Sequence, residues 1–289
     1  MEDPNLYKYA IPILFIAMVV EYYAGREDHK PVYSRKDFLS NLALGLIGTL
    51  TGLLGSYLAL RVYQLCFDFF APFREVIFKV SSWSWNWKVW VVAMLLGDFT
   101  FYWFHRIHHR VRILWAAHVV HHSSEYFNYS ISMRFAWVSN IHKPLFWAWM
   151  AALGFHPVMI AMCLTINSIY QGFTHTKYSK YWDKLSFFLN TPGLHAIHHG
   201  KNDFCIDKNY SGMFIIFDKI FGTYEPIQKD ITIEFGVTHP PKSGSLIEIS
   251  IHEFRDIWKA VSAERKLKNK WNLLFKPPGW KPPINSSPN

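Results

Sequence analysis

Apolar and polar positions alternate along the chain in blocks of membrane length. Residues Tyr7–Tyr23 form a first apolar run with a single acid, Glu21, near its end. Met1-Glu2-Asp3-Pro4 ahead of it lacks the basic region of a signal peptide, so this run is expected to stay as an anchor. A polar loop with Arg26, Lys30, Arg35 and Lys36 follows. Phe38–Leu60 then runs 23 residues without a charge, enough to cross a hydrocarbon core of roughly 30 Å. Within it Gly45, Gly48, Gly52 and Gly55 recur at spacings of three and four, which predicts a face that another helix approaches closely. Trp83, Trp85, Trp87 and Trp90 crowd the start of a third apolar run, Trp87–Phe104, as interfacial tryptophans do.

From Pro144 to Thr176 no Asp, Glu, Lys or Arg occurs over 33 residues. One straight helix of that length would be about 50 Å long, too long for a bilayer. Gly154-Phe155-His156-Pro157 interrupts it with a turn-former and a residue that cannot continue a helix. The pattern therefore predicts a hairpin of two shorter helices over about 138–174, with both ends on one side. The fold expected is a single all-α integral membrane domain over 1–289. Its spans lie over about 7–24, 38–60 and 87–104, with the hairpin or re-entrant pair and a cytosolic histidine-rich cap. The tail from about 225 to 289, Pro- and Lys-rich over Lys276–Pro283, is expected to be a polar cytosolic piece with an extended end.

Composition strengthens the membrane assignment. Aromatic residues make up 18%, with 13 Trp and 24 Phe, and charged residues only 18%. The net charge of +9 suits anionic head groups, whereas the clustered basic stripes of a nucleic-acid reader are absent from the sequence. Arg106, Arg110, Arg112 and Arg134 outnumber Arg74 and Lys79 of the opposite loop, which places the later, histidine-bearing side in the cytoplasm. A multipass protein of a bacterial inner membrane or the endoplasmic reticulum is expected. Cys66, Cys163 and Cys205 form no Cys-x-x-Cys pair, so they read as small apolar fillers.

Histidine carries the candidate chemistry. His105 and His109, His118 and His122, and His195 and His199 are each one helical turn apart, with His121 and His198 beside them at i+3. The hairpin's exit returns His175 to the same side, while His156 sits at the tip and His142 at the entrance, both outside the expected site. Neutral imidazole is a ligand for iron, zinc or copper, and nine such ligands exceed one coordination sphere, so two metals with open positions are expected. His105-Arg106-Ile107-His108-His109 lacks the glutamate of a zinc hydrolase helix. Two redox metals at a membrane face suit oxygen activation and attack on a lipid C–H bond. Asp98, seven residues before His105 in an apolar run, either orients a histidine from elsewhere or makes a helix–helix hydrogen bond.

These words resemble a family. His105-x3-His109, His118-x2-His121-His122 and His195-x2-His198-His199 are similar to the three histidine boxes of the fatty acid hydroxylase and sterol desaturase superfamily. Tyr102-Trp103-Phe104-His105-Arg106, His121-His122-Ser123-Ser124-Glu125, Asn190-Thr191-Pro192 and the stretch from Cys205 to Thr223 resemble its alkylglycerol monooxygenase branch. The resemblance implies two non-haem iron ions, O2, and oxygenation of the ether-linked carbon of an alkylglycerol, which releases a fatty aldehyde. It also implies an external reductant. Animal members carry Glu where this chain has Arg110, which leaves tetrahydrobiopterin and a ferredoxin or cytochrome donor both open. Glu125 and Asn128 follow the second box as in the family and are expected, with Asp98, to steady ligands from behind. A sterol or fatty acyl hydroxylase or desaturase is the alternative within the class. A membrane metal transporter is the alternative outside it, and would place ligands on broken helices near the bilayer midplane.

Overall fold

The computed structural model describes residues 6–27, 31–228 and 231–283. The opening Met1–Pro4, Lys30 of the first loop and the last six positions of the tail lie outside the described residues. Among those described there are no strands, only two isolated bridges, Leu189 with Phe214 and Gly200 with Phe235. The chain is a set of helices packed around an apolar centre.

Helices α1 (Tyr7–Glu27) and α2 (Arg35–Phe69) are both long and apolar enough to cross a membrane. Leu46, Leu50, Leu53 and Leu54 of α2 are 63–68% exposed, an outward apolar surface that water would not tolerate at this length. The 35 residues of α2 extend about 52 Å, well past the expected end at Leu60. Arg61 does not stop it, since a single charge can sit at a helix surface. Its glycines serve close approach: a Cβ on Gly45 would meet Met133 Cβ at 2.9 Å, and one on Gly48 would meet Phe135 Cβ at 3.0 Å.

Helix α3 (Ala71–Phe78) turns the chain, and Asn86 then caps α4 (Trp87–Arg110) by accepting a hydrogen bond from the Val89 amide. Helix α4 runs through the first histidine box instead of ending at Phe104. Val111, in an extended conformation, separates it from α5 (Arg112–His122). The expected hairpin is two helices, α6 (Ser139–Ala152) and α7 (Pro157–Gly172). Between them Gly154 adopts φ +101°, open to glycine but strained for other residues. Pro157 occupies the first turn of α7, where its missing N–H costs nothing, and His156 caps it. The turn is held by Arg74, which donates to the Ala152 and Ser81 carbonyls, and by Trp83, whose indole donates to the Leu153 carbonyl at 2.8 Å. Tyr63, Ala93, Phe104, Trp147, Met150, Phe155, Met159, Ile160 and Cys163 pack α2, α4, α6 and α7 into one core.

Short helices α8 (Pro192–His198) and α9 (Ile216–Ile220) follow. The tail carries two helices ahead of its non-helical Pro- and Lys-rich end. It contains α10 (Leu246–Ala263), capped by Ser245, whose hydroxyl accepts from the Glu248 amide, and α11 (Leu267–Phe275). Helix α10 lays Ile249 and Ile257 inward and ties to α5 through the Arg112–Glu253 ion pair.

Candidate metal centre

The three boxes sit on the C-terminal ends of helices that meet at one end of the core. Helix α4 brings His105 and His109, the reversal at Val111 folds α5 back with His118, His121 and His122, and α8 supplies His195 and His198 with His199 as its cap. His175 follows α7 directly. The nine histidines separate into two groups, His105, His109, His118, His122 and His198, and His121, His175, His195 and His199. Within each group the potential ligand atoms lie within 4.8 Å of one another. The Nε2 atoms of His105 and His118 are 2.9 Å apart, those of His118 and His122 3.1 Å, those of His121 and His175 3.1 Å, and those of His175 and His195 3.0 Å. The rings of His122 and His199 stack at 4.3 Å and join the two groups.

Backbone carbonyls orient the rings. The Nδ1 atoms of His105, His198 and His175 each lie 2.8 Å from a carbonyl, of Tyr210, Lys208 and Gln171 respectively. A proton on Nδ1 in each case leaves the Nε2 lone pair free toward the centre of its group. The Nε2 atoms of His109, His198 and His199 are buried with no protein partner. Such groups cost free energy unless something satisfies them, and imidazole nitrogens alone form a donor set suited to iron, zinc or copper. The residues therefore fit two metal ions. Burial, followed by the proximity of the other histidines, holds His118, His121, His122, His195 and His199 well below the ordinary imidazole range. Burial also pushes His175 and His198 down to about 4. All are therefore neutral at pH 7, the form that ligates.

The carbonyls of Lys208 and Tyr210 belong to a loop held by buried carboxylates and side-chain amides. Asp207 and Asn209 adopt φ of 60° and 53°, left-handed conformations that non-glycine residues rarely take. The Asn209 side chain donates to the Leu194 and Glu225 carbonyls and accepts from the Glu225 amide, which fixes its conformation. Asp218, wholly buried, accepts from the amides of Tyr210 and Ser211, both at 2.8 Å, and from the Thr223 hydroxyl at 2.7 Å. Arg110 pairs with Asp207, which also accepts from the Tyr210 hydroxyl at 2.7 Å.

The residues expected behind the ligands take other roles. Asp98 touches no histidine; it accepts from the amides of Met213 and Phe214 and from the Asn167 side chain, so it joins α4, α7 and the loop beyond Tyr210. Of its two expected roles, the structure places it in the interhelical hydrogen bond. Asn128 donates to the Val32 carbonyl and accepts from Ser130, and Glu125 is exposed at the edge of a polar cleft. Arg134 is buried, donating to Asn41, Ser123 and the Val120 carbonyl, and clamps the end of α5 onto α2. His156 lies at the hairpin tip against Phe67 and Trp85. His142 lies at the opposite end, its Nε2 2.6 Å from that of buried His108, outside both groups. Phe127 covers the second group, 5.4 Å from the His199 ring, and stacks on Phe235 at 4.9 Å.

An all-helical chain with imidazoles gathered at the end of its apolar core has the architecture of a histidine-box protein. Comparison agrees: residues 90–223, which enclose all three boxes, match the fatty acid hydroxylase family. Over 282 residues it is similar to alkylglycerol monooxygenase of Homo sapiens, at 35% identity, and of Danio rerio, at 34%. Each alignment covers 97% of this chain and 61% of the relative, so the chain spans about three fifths of those proteins. Over 180 residues it is 24% identical to ornithine lipid hydroxylase OlsE of Rhizobium tropici, covering 60% of this chain and 52% of that protein. No solved structure matches.

Proposed function

We propose that the protein is a multipass membrane di-iron oxygenase that hydroxylates the ether-linked carbon of an alkylglycerol and so releases a long-chain aldehyde. The observation that carries this is the pair of buried imidazole groups, five and four residues strong, at the end of the apolar helices. Bound iron would supply dioxygen activation there. The chain's own residues prepare the place. Tyr210, Lys208 and Gln171 carbonyls fix the ligand tautomers, Phe127 and Trp115 crowd the rings, and Phe235 stacks on Phe127, so that water is excluded.

In the overall reaction one oxygen atom of O2 enters the C–H bond and the other leaves as water. An external reductant, tetrahydrobiopterin or a ferredoxin or cytochrome donor, provides two electrons, and two protons taken up with them complete the water. The carbon beside an ether oxygen is the preferred position, because that oxygen stabilises positive charge developing on it. The resulting hemiacetal separates into aldehyde and glycerol without a hydrolase. The histidine end is the cytoplasmic one. Metal transport is disfavoured by the position of the imidazoles, at helix ends and not on broken helices at midplane.

The test is conversion of 1-O-alkylglycerol by iron-loaded protein in detergent or nanodiscs under 18O2, with aldehyde trapped rapidly and each reductant compared. Labelled aldehyde supports the proposal. Turnover of sterol or acyl substrates but never of an alkylglycerol leaves only the superfamily-level activity.

A further inference from the structure

The face around α9 is apolar and uncovered although it follows the metal loop, where a polar cap is expected. Ile216 and Ile220 are exposed, as are Tyr181, Trp182, Leu185, Phe187 and Phe188 of the segment between α7 and α8. The two pieces are joined: the Ile215 amide donates to the Phe188 carbonyl, Phe188 packs on Phe214 at 5.2 Å, and the Lys219 amine donates to the Phe187 carbonyl.

Asp98 sets the depth of this face. It lies at the middle of α4, about 18 Å along the axis from the Arg110 end. Its carboxylate takes the amides of Met213 and Phe214, so the loop descends beside the helix to that level. Phe217 and Phe221 then cover Phe99, and Phe221 covers Tyr102 and Trp103, while Val91, Val92 and Leu95 of α4 stay exposed nearer its start. The exposed side chains of α9 thus continue the outward apolar surface of a helix that ends in the metal centre. Around them Lys180, Lys184 and Lys219 are exposed, and the amines of Lys184 and Lys219 lie over Tyr181 and Tyr224. Aromatic side chains interleaved with lysines are the composition of a bilayer interface, apolar stems inward and amines at the phosphates.

We propose that Tyr181–Phe188 and α9 form a collar that enters the boundary between head groups and acyl chains, so that an anionic lipid surface is what covers this face. The collar is wired to the third box, because the Gly193 amide at the start of α8 donates to Asp183. It rests on the membrane reading of the chain.

The test uses the full-length protein in phosphatidylcholine–phosphatidylglycerol vesicles, its three cysteines replaced by alanine, with bimane attached at Phe187→Cys, Ile220→Cys or, for reference, Leu53→Cys. Brominated lipid is expected to reduce emission at all three positions while iodide in the water leaves them unquenched. Iodide quenching at 187 and 220, with lipid quenching at 53 alone, overturns the collar and leaves the membrane reading intact. Protection from both quenchers at 187 and 220 also overturns it, since a second copy or a protein donor then covers the face. Lipid quenching at none of the three overturns the membrane reading and the collar with it. If the cysteine-free protein does not fold, a photoreactive benzoylphenylalanine at position 187 in the otherwise unchanged chain gives the same decision. Cross-linking to lipid supports the collar, and cross-linking to protein or to nothing overturns it.

Discussion

Asp218→Ala tests how far the metal centre depends on the loop that orients it. The carboxylate is wholly buried and accepts three hydrogen bonds, from the Tyr210 and Ser211 amides and the Thr223 hydroxyl. Thr223 keeps a second partner in the Tyr102 hydroxyl at 2.9 Å, so the substitution strands two buried amides. At about 1–3 kcal/mol for each, the loss is about 4 kcal/mol. At about 2–4 °C per kcal/mol for a chain of this size, the melting temperature of the detergent-solubilised protein falls by about 8–16 °C. The loss is uneven across the site. The Tyr210 and Lys208 carbonyls hold His105 and His198, both of the five-histidine group, whereas His175 of the other group is held by Gln171. Iron content should therefore drop toward one ion per chain. Asp218→Asn, which retains one acceptor oxygen, should lie between. A variant that melts within about 2 °C of the parent and keeps both ions would refute the reasoning, given the two amides at stake.

Replacing His121 or His198 by Ala should abolish turnover and lower iron content, whereas His156→Ala, at the hairpin tip, should leave both unchanged; the reverse pattern in metal analysis and aldehyde assay would mean that other histidines bind metal. Gly45→Val should destabilise by about 1–3 kcal/mol in thermal melts, since even a Cβ there lies 2.9 Å from Met133 Cβ, and an unchanged melt would mean that α2 does not pack as described. The metal-free protein should lose stability as pH falls below 6.5. His175 and His198 titrate at about 4 when folded but near 6.5 when unfolded, so in that window the unfolded chain binds more protons. The unfolding free energy from denaturant titration should fall by up to about 1.4 kcal/mol per pH unit for each such histidine, and stability that stays flat or rises on acidification would contradict their burial.

The two histidine groups were legible as candidate ligands because helical spacing is a local property: histidines at i and i+4 share a face whatever surrounds them. His175 was reached through the hairpin, itself legible from Gly154 and Pro157 in an overlong apolar run. What orients the ligands was not. The Tyr210 and Lys208 carbonyls are backbone atoms, which leave no residue-type signature, and Asp218 acts through amides seven and eight residues earlier. Asp98 looked suited to a histidine because an acid in an apolar helix needs a partner. Its partners are the Asn167 side chain and the Met213 and Phe214 amides, 69 to 116 positions away, which no periodicity reports. Charge misplaced the end of α2, since the apolar run stops at Leu60 while the hydrogen-bonded helix goes on to Phe69. The Pro- and Lys-rich end was legible as non-helical, but α10 and α11 ahead of it were not assigned, although Ser245-x-x-Glu248 already marked the start of α10. His108 and His142 lie 34 positions apart and meet only because α6 packs beside α4.

The central claim is that the two imidazole groups each hold an iron ion. Its most direct test is metal analysis of full-length protein, loaded with ferrous iron under anaerobic conditions and freed of excess metal, together with magnetic or Mössbauer spectroscopy of the same sample. The account predicts two iron ions per folded chain, with nitrogen-rich ligation at both, and loss of iron from the four-histidine group in His175→Ala. A reproducible content of one ion or none in folded protein would contradict it.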